Sequence, residues 1–401
     1  MRGPLAGLRV IDLTTVIMGP YASMMLADMG ADVIKIESPE GDTTRQAGRA
    51  RHPGMGAVFL TIGRGKRSLV LDLKQPGAVA TLKRLVQQAD VFLINMRPDA
   101  AARLGIDYAA ISACNPRIVY CSAQGFLAGG PYSGEPAYDD MIQGLSGTAD
   151  ILGRIFGEPA YVPMIYADKV MGLNAALAIM MALFRRERSG SGGTGEFVEV
   201  PMFEGMAAFT LVEHLYDATF AEPGNIPGYP RVLTRERRPF RTSDGYLCAL
   251  PYTDKHFQRF FDAAGRADLK DDARFSTIAS RIANVQFVYQ TIAAIIVGKT
   301  SAEWMTLLRA ADIPCMPMNS LESLLEDPHL AATHFFRSEE HPTEGRLRHY
   351  GMPFRFEHAA AGTPAPAPRL GEHSEAVLRE AGFGADEISA LRDTGALIQA
   401  P

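Results

Sequence analysis

The chain is 401 residues long, 47% hydrophobic and 21% charged, an ordinary balance for a globular protein and enough for two packed domains. A formal net charge of -5 argues against nucleic acid or an anionic membrane as the main partner, because both select basic surfaces. Cys114, Cys121, Cys248 and Cys315 lie far apart with no Cys-x-x-Cys pair, which speaks against a zinc knuckle or a disulfide framework and for reduced thiols in a cytoplasmic protein.

The N-terminus runs straight into a strand over 8–13, without the apolar stretch and cleavage site of a signal peptide. A helix follows over 20–29, closed by Gly30, then strands over 33–37 and 68–73, a helix over 77–88, and strands over 91–95 and 118–122. Apolar strand runs alternating with amphipathic helices predict an open α/β domain, a parallel sheet covered on both faces. A helix over 168–188 has an apolar centre and a basic end. Its longest apolar run, 175–184, falls short of the ~20 residues that span a bilayer and reads as a buried core segment. A turn over 189–195 and a strand over 196–200 come next.

Over 221–238 the pattern dissolves into Pro223, Pro227, Pro230 and several glycines, the composition of a linker between domains. Strands over 238–242 and 246–250 then flank a hairpin turn at Ser243-Asp244-Gly245. Thr300-Ser301-Ala302-Glu303 has the spacing of a capping box, and a small α+β domain ends near Leu330. Residues 346–356 read as a strand, 363–368 as a stiff proline linker and 374–397 as closing helices that return to the first domain.

Gly190, Gly192 and Gly195 match the dinucleotide fingerprint Gly-x-Gly-x-x-Gly, but they follow a helix and precede a strand, the reverse of phosphate cradling. An ordinary connecting turn is the better reading. The nine histidines are scattered without paired helical spacing, so no metal site is expected. Asp168 is the carboxylate of interest: it stands between the apolar segment 161–167 and a largely apolar helix, where it would be partly desolvated. On spacing alone a helix N-cap is the favoured role, since Asp is among the best capping residues.

The chain resembles a family from end to end. The residues that carry the resemblance begin with Leu5-Ala6-Gly7-Leu8-Arg9-Val10-Ile11-Asp12-Leu13, Gly19-Pro20-Tyr21 and the run 26–37. Gly65-Lys66-Arg67-Ser68, Leu71-Asp72-Leu73-Lys74, Asn115-Pro116-Arg117, Gly130-Pro131-Tyr132, Tyr138-Asp139 and Leu370-Gly371-Glu372-His373 continue it. The family is the class III CoA-transferases, also called CaiB/BaiF, which includes formyl-CoA:oxalate and carnitine CoA-transferases. Asp168, Gly172, Ala182-Leu183, Arg185-Arg186 and Phe197-Val198-Glu199-Val200 fit the segment that bears the family's catalytic Asp. The resemblance therefore implies that Asp168 is a nucleophile, a role that a cap does not preclude. By position in the family, Lys74, Asn95, Arg103 and Tyr138 are the expected contacts to coenzyme A, with Ile17 and Met96 lining the site and Arg97 a further addition. Where formyl-CoA:oxalate transferase has an Arg after its Ile-Glu pair, this chain has Ser38, so its grip on the nucleotide is expected to differ.

The implied activity is transfer of CoA from an acyl-CoA donor to a carboxylic acid through aspartyl anhydride and aspartyl-CoA intermediates, with no permanently bound cofactor and no metal. The same superfamily contains 2-methylacyl-CoA racemases, which pair an Asp with a His in a Gly-His-Asp segment. Here the matching place reads Pro136-Ala137-Tyr138-Asp139-Asp140, with no His between His52 and His214, so the transferase is favoured. A silent acyl-CoA-binding protein would have no need of Asp168. The acid is expected to be small; the arginines Arg231, Arg235, Arg237, Arg238 and Arg241 suit either a short dicarboxylate such as succinate, mesaconate or itaconate, or a solvated linker. The resemblance also implies a Rossmann-like domain built from both chain ends and an interlocked homodimer. The expected plan is a large catalytic domain over 1–220, a linker over 221–238, a small α+β domain over 239–330, and a linker and C-terminal return over 331–401.

Overall fold

The computed structural model describes residues 3–359 and 364–398. Residue 363, where the expected proline linker begins, lies outside the described residues, as do Met1 and Arg2. Six strands form a parallel sheet: β1 (Arg9–Asp12), β2 (Asp32–Glu37), β3 (Lys66–Leu71), β4 (Val91–Ile94), β5 (Val119–Gln124) and β6 (Glu196–Pro201). Their spatial order is β3-β2-β1-β4-β5-β6, and Leu397–Ile398 pairs antiparallel with the outer edge of β3. The open, mostly parallel sheet expected from the alternating pattern is present, and both ends of the chain contribute to it.

The inner strands β1, β2, β4 and β5 serve two cores. Alternate residues point to opposite faces, so Ile11, Ile34, Leu69 and Phe92 pack with the helices Ala78–Val86, Ser374–Glu380 and Ala385–Asp393. Val10, Val33, Leu93 and Cys121 pack with the helices Met18–Asp28 and Ala167–Arg188 on the other side. Burial on both faces is why β4 reads Val-Phe-Leu-Ile without a polar break. From β1 the chain steps outward to β2 and β3, then returns across β1 to start β4 on its far side. Connections leaving β1 and β4 therefore diverge, and a crevice opens at the carboxyl ends of these two strands.

Several boundaries differ from the sequence reading. The strand expected over 68–73 starts two residues early, at Lys66, because Gly65 turns the chain with φ 74° and the lysine enters the sheet neutralised by buried partners. The segment 374–397 is two helices whose continuation Leu397–Ile398 is a strand. The strand expected over 346–356 is Gly345–Tyr350, zipped to an unexpected partner, Phe336–His341. Helices Asp139–Leu145 and Thr148–Phe156 had no counterpart in the sequence pattern.

The chain resolves into two compact units, one of residues 1–146, 162–208 and 332–401, the other of 147–161 and 209–331. Residues 147–161 and 209–220, expected in the large domain, thus pack with the second unit, and 221–238 lies inside it. That unit has a three-stranded antiparallel sheet of Phe240–Arg241, Tyr246–Ala249 and Cys315–Pro317 over a core of Phe257, Phe260, Phe261, Phe275 and Trp304. The capping box at Thr300 and Glu303 is formed. The helix Ala167–Arg188 is long and apolar enough to cross a membrane by length and composition, where the sequence reading saw only its shorter apolar run. Its Met171, Ala175 and Ile179 are instead spent in the core of the first unit.

Candidate active site

The site is built on charges that the sheet buries. Asp12, at the end of β1, accepts from Thr14 N at 2.9 Å, from the Thr14 hydroxyl and from Ser23 Oγ at 2.6 Å. Lys66 Nζ lies 3.3 Å from Asp12 Oδ2 and donates to Pro20 O, while Lys35 Nζ donates to Thr14 O at 2.7 Å and pairs with Asp42 at 2.9 Å. All four charged groups are essentially inaccessible to water, which is tolerable only because each is paired and hydrogen-bonded. Burial works to raise the Asp12 pKa, but Lys66 and Lys35 beside it prevail and hold it at about 2. Burial, only partly opposed by Asp12, brings Lys66 down to about 8.

This network pins the turn that leaves β1. Asn95, just past β4, clamps the same turn across the crevice: its Oδ1 accepts from Thr15 N at 3.1 Å and its Nδ2 donates to Thr15 O at 3.0 Å. Between these anchors Val16 is forced to φ 70°, a conformation that a β-branched residue adopts only under constraint, and its N–H donates to Asp42 Oδ1 at 3.3 Å.

Asp168 arrives on the opposite wall. Gly172, one turn further along its helix, lets that helix approach the helix Met18–Asp28 closely; a Cβ there would stand 2.7 Å from Met18 O. Asp168 is not the cap that spacing suggested. The helix begins at Ala167, with Tyr166 before it, and Asp168 lies within the first turn. Its own N–H is taken by Asp139 Oδ1 at 3.0 Å. Asp139 is held in turn by Gln143 Nε2 at 2.6 Å, and the Gln143 carbonyl oxygen accepts from Val162 N at 2.8 Å. Asp168 is 7% exposed. Burial, with the Asp139 charge adding to it, pushes its pKa up to about 7. A carboxyl already held out of water yet still partly ionised at neutral pH is chemically able to act as a nucleophile.

The two walls enclose a cavity of about 270 Å³ lined by Thr15, Val16, Asn95, Arg97, Tyr138 and Asp168, among others. Four of the sequence-expected residues, Asn95, Arg97, Tyr138 and Asp168, thus meet in one place. The others do not line it. Ile17 is buried against Met24, Met25 and Ile62, and the Met96 side chain packs into the opposite core while its carbonyl accepts from Gln124 Nε2 at 2.9 Å. Lys74 and Arg103 lie outside the lining. Sequence reasoning passed over Thr15, Val16, Gln124 and Glu135 in the lining, and Gln143 behind it. Only Gln143 left a trace, its spacing of four from Asp139, which puts both on one helical face. The lining holds no histidine or cysteine, and its carboxyl groups are those of Asp168 and Glu135.

Comparison with other proteins gives concordant findings. The model of the family described as CoA-transferase family III matches residues 5–374. The succinate–glutarate CoA-transferase of Agrobacterium fabrum is 34% identical over 388 residues, 94% of this chain and 95% of that protein. The succinyl-CoA:glutarate CoA-transferase of Mus musculus is 31% identical over 386 residues, 94% and 86% of the two chains. Among solved structures, Rv3272 of M. tuberculosis superposes with a TM-score of 0.80 at 28% identity, over 93% of this chain and 99% of its own.

Proposed function

Since the chain belongs to CoA-transferase family III, an enzyme family whose substrates are CoA thioesters, we propose that it exchanges CoA between short dicarboxylic acids through covalent catalysis by Asp168. The observation that carries the nucleophile's role is the position of Asp168: of the two carboxyl groups lining the cavity at the sheet's crevice, it is the nearly buried one, raised to about 7, whereas Glu135 is exposed. The dicarboxylate reading draws on the acids named in the two relatives above.

The steps balance without any further reagent. An Asp168 carboxylate oxygen attacks the donor thioester carbonyl; the C–S bond breaks, leaving an acyl–aspartyl anhydride and CoA thiolate. The thiolate attacks the Asp168 side-chain carbonyl carbon, the anhydride C–O bond breaks, and the donor acid leaves as its carboxylate. The acceptor carboxylate then attacks the aspartyl thioester, releasing thiolate and forming a second anhydride. Attack of thiolate on the acceptor's acyl carbon gives the new thioester and frees Asp168. The buried site limits loss of the activated acyl group to water. Asn95, Arg97 and Tyr138 lie in the cavity where they would hold the thioester end of CoA, and Lys74 and Arg103 are assigned to its phosphates.

The assembly we propose is an interlocked homodimer. Its support is the outer stripe Leu173, Leu177, Met181 and Phe184 of the long helix, exposed by 47 to 63% and spaced along one face. The cytoplasm is the proposed compartment, on the strength of four unpaired cysteines.

The test mixes the protein with succinyl-CoA or a panel of acyl-CoA thioesters and free acids in heavy water, with Asp168→Ala alongside, and weighs the thioester pool by mass spectrometry. New thioesters formed only by the intact protein are the expected result. Deuterium gained on an unchanged 2-methyl thioester, with no new thioester, would overturn the reading in favour of a racemase.

A further inference from the structure

The second unit carries a cavity of its own, and its lining is one-sidedly charged. It measures about 460 Å³, within the roughly 300–1,000 Å³ usual for small-molecule sites, and is walled by Arg231, Arg237 and Arg238 over Phe240, Leu250 and Met316. No carboxylate lines it.

The five arginines that cluster in the sequence part company here. Arg235 is committed to the fold, donating to the carbonyls of Ile155 at 2.6 Å and Phe156 at 2.7 Å, and Arg241 is outside the lining. Arg231 lies with its guanidinium 4.9 Å from the centre of the Tyr252 ring, a contact that fixes its direction without neutralising it. Arg238 meets Glu236 only at 3.5 Å, and that carboxylate also accepts from Gln290. Arg231 and Arg237 make no ion pair among the described residues. Three guanidinium groups, one loosely compensated, therefore converge on a hollow with an apolar floor.

We infer that this cavity is a carboxylate-binding site that takes a short dicarboxylic acid. Guanidinium forks match carboxylate geometry, three cations with no anion in the lining suit two negative charges better than one, and Phe240, Leu250 and Met316 give a methylene stem a surface to cover. The proposed transferase activity enters this inference only in the choice of a dicarboxylate; the site itself stands on the cavity and its charges.

The test is isothermal titration calorimetry on the full chain with three probes: glutarate, butyrate and CoA. The proteins are the native sequence, Asp168→Ala, Arg237→Gln, and the triple variant Arg231→Gln/Arg237→Gln/Arg238→Gln, each checked for folding by circular dichroism. Glutarate is expected to bind the native protein and Asp168→Ala alike, at least tenfold more weakly to Arg237→Gln, and without detectable heat to the triple variant. Butyrate is expected to bind at least tenfold more weakly than glutarate. The inference is overturned if the native protein does not bind glutarate, if the triple variant binds it with native affinity, or if the triple variant loses CoA while keeping glutarate, which would make the cavity a phosphate site. Arginine-dependent glutarate binding in a protein that forms no new thioester would uphold the site and refute the transferase reading. Transfer that survives in a triple variant with native glutarate affinity would do the reverse.

Discussion

Replacing Asp168 by asparagine should make this protein more stable at alkaline pH while abolishing turnover. Burial and the Asp139 charge raise the folded-state pKa of Asp168 to about 7 from an ordinary 3.8. The fold thus favours the protonated acid. As pH rises from 3.8 to 7 the unfolded chain gives up this proton first, so ionising Asp168 costs the native state free energy that is absent below 3.8 and complete above 7. The interval corresponds to an upper limit of about 4 kcal/mol at about 1.36 kcal/mol per tenfold. The amide of an asparagine has nearly the shape of the carboxylate and no charge to desolvate. Urea unfolding of native protein and Asp168→Asn between about pH 4 and pH 9 measures the difference. The variant should match the native protein near pH 4 and exceed it by up to about 4 kcal/mol at pH 8. A gap independent of pH, or a variant less stable at pH 8, would refute the claim that the site stores the cost of a buried carboxylate.

The same reasoning reaches the neighbours of Asp168. Asp139→Asn keeps an oxygen to accept from the Asp168 N–H but removes a like charge, so the rising limb of kcat/KM against pH should move to lower pH; an unmoved limb would show that the Asp139 charge does not reach Asp168. Val16→Gly relieves the strained φ of 70° at the cost of extra freedom in the unfolded chain, so stability by thermal denaturation should change by no more than about 1 kcal/mol while turnover falls as the turn loosens. A loss of several kcal/mol would mean that the valine packs rather than strains. Lys66→Met strands the Asp12 carboxylate in the sheet with only Lys35 for company and should cost about 3–5 kcal/mol in urea unfolding, with the turn at Thr14 to Val16 released; a neutral outcome would show the buried network to be dispensable.

The sequence by itself determined the elements whose signals are local. Short strand-like runs alternating with helical patterns placed β1, β2, β4, β5 and β6, because that signal lies within a few consecutive residues. A capping box placed the helix start at Ser301, because its hydrogen bonds span three residues. Ordered motifs along the whole chain pointed to the family and to Asp168. What the sequence could not carry were relations between residues far apart. Lys66 looked like a loop residue until its partner, 54 positions away, was seen to neutralise it inside the sheet. Asp168 looked like a cap because capping is judged from the next three residues, whereas the acceptor for its N–H is Asp139 on another helix. Val16 carries no mark in a sequence of its strained backbone, which arises from Asn95 and Asp42 pulling on the turn from two sides. Pairing of distant charges and strain imposed by distant anchors depend on where the chain returns in space, and only the tertiary structure decides that.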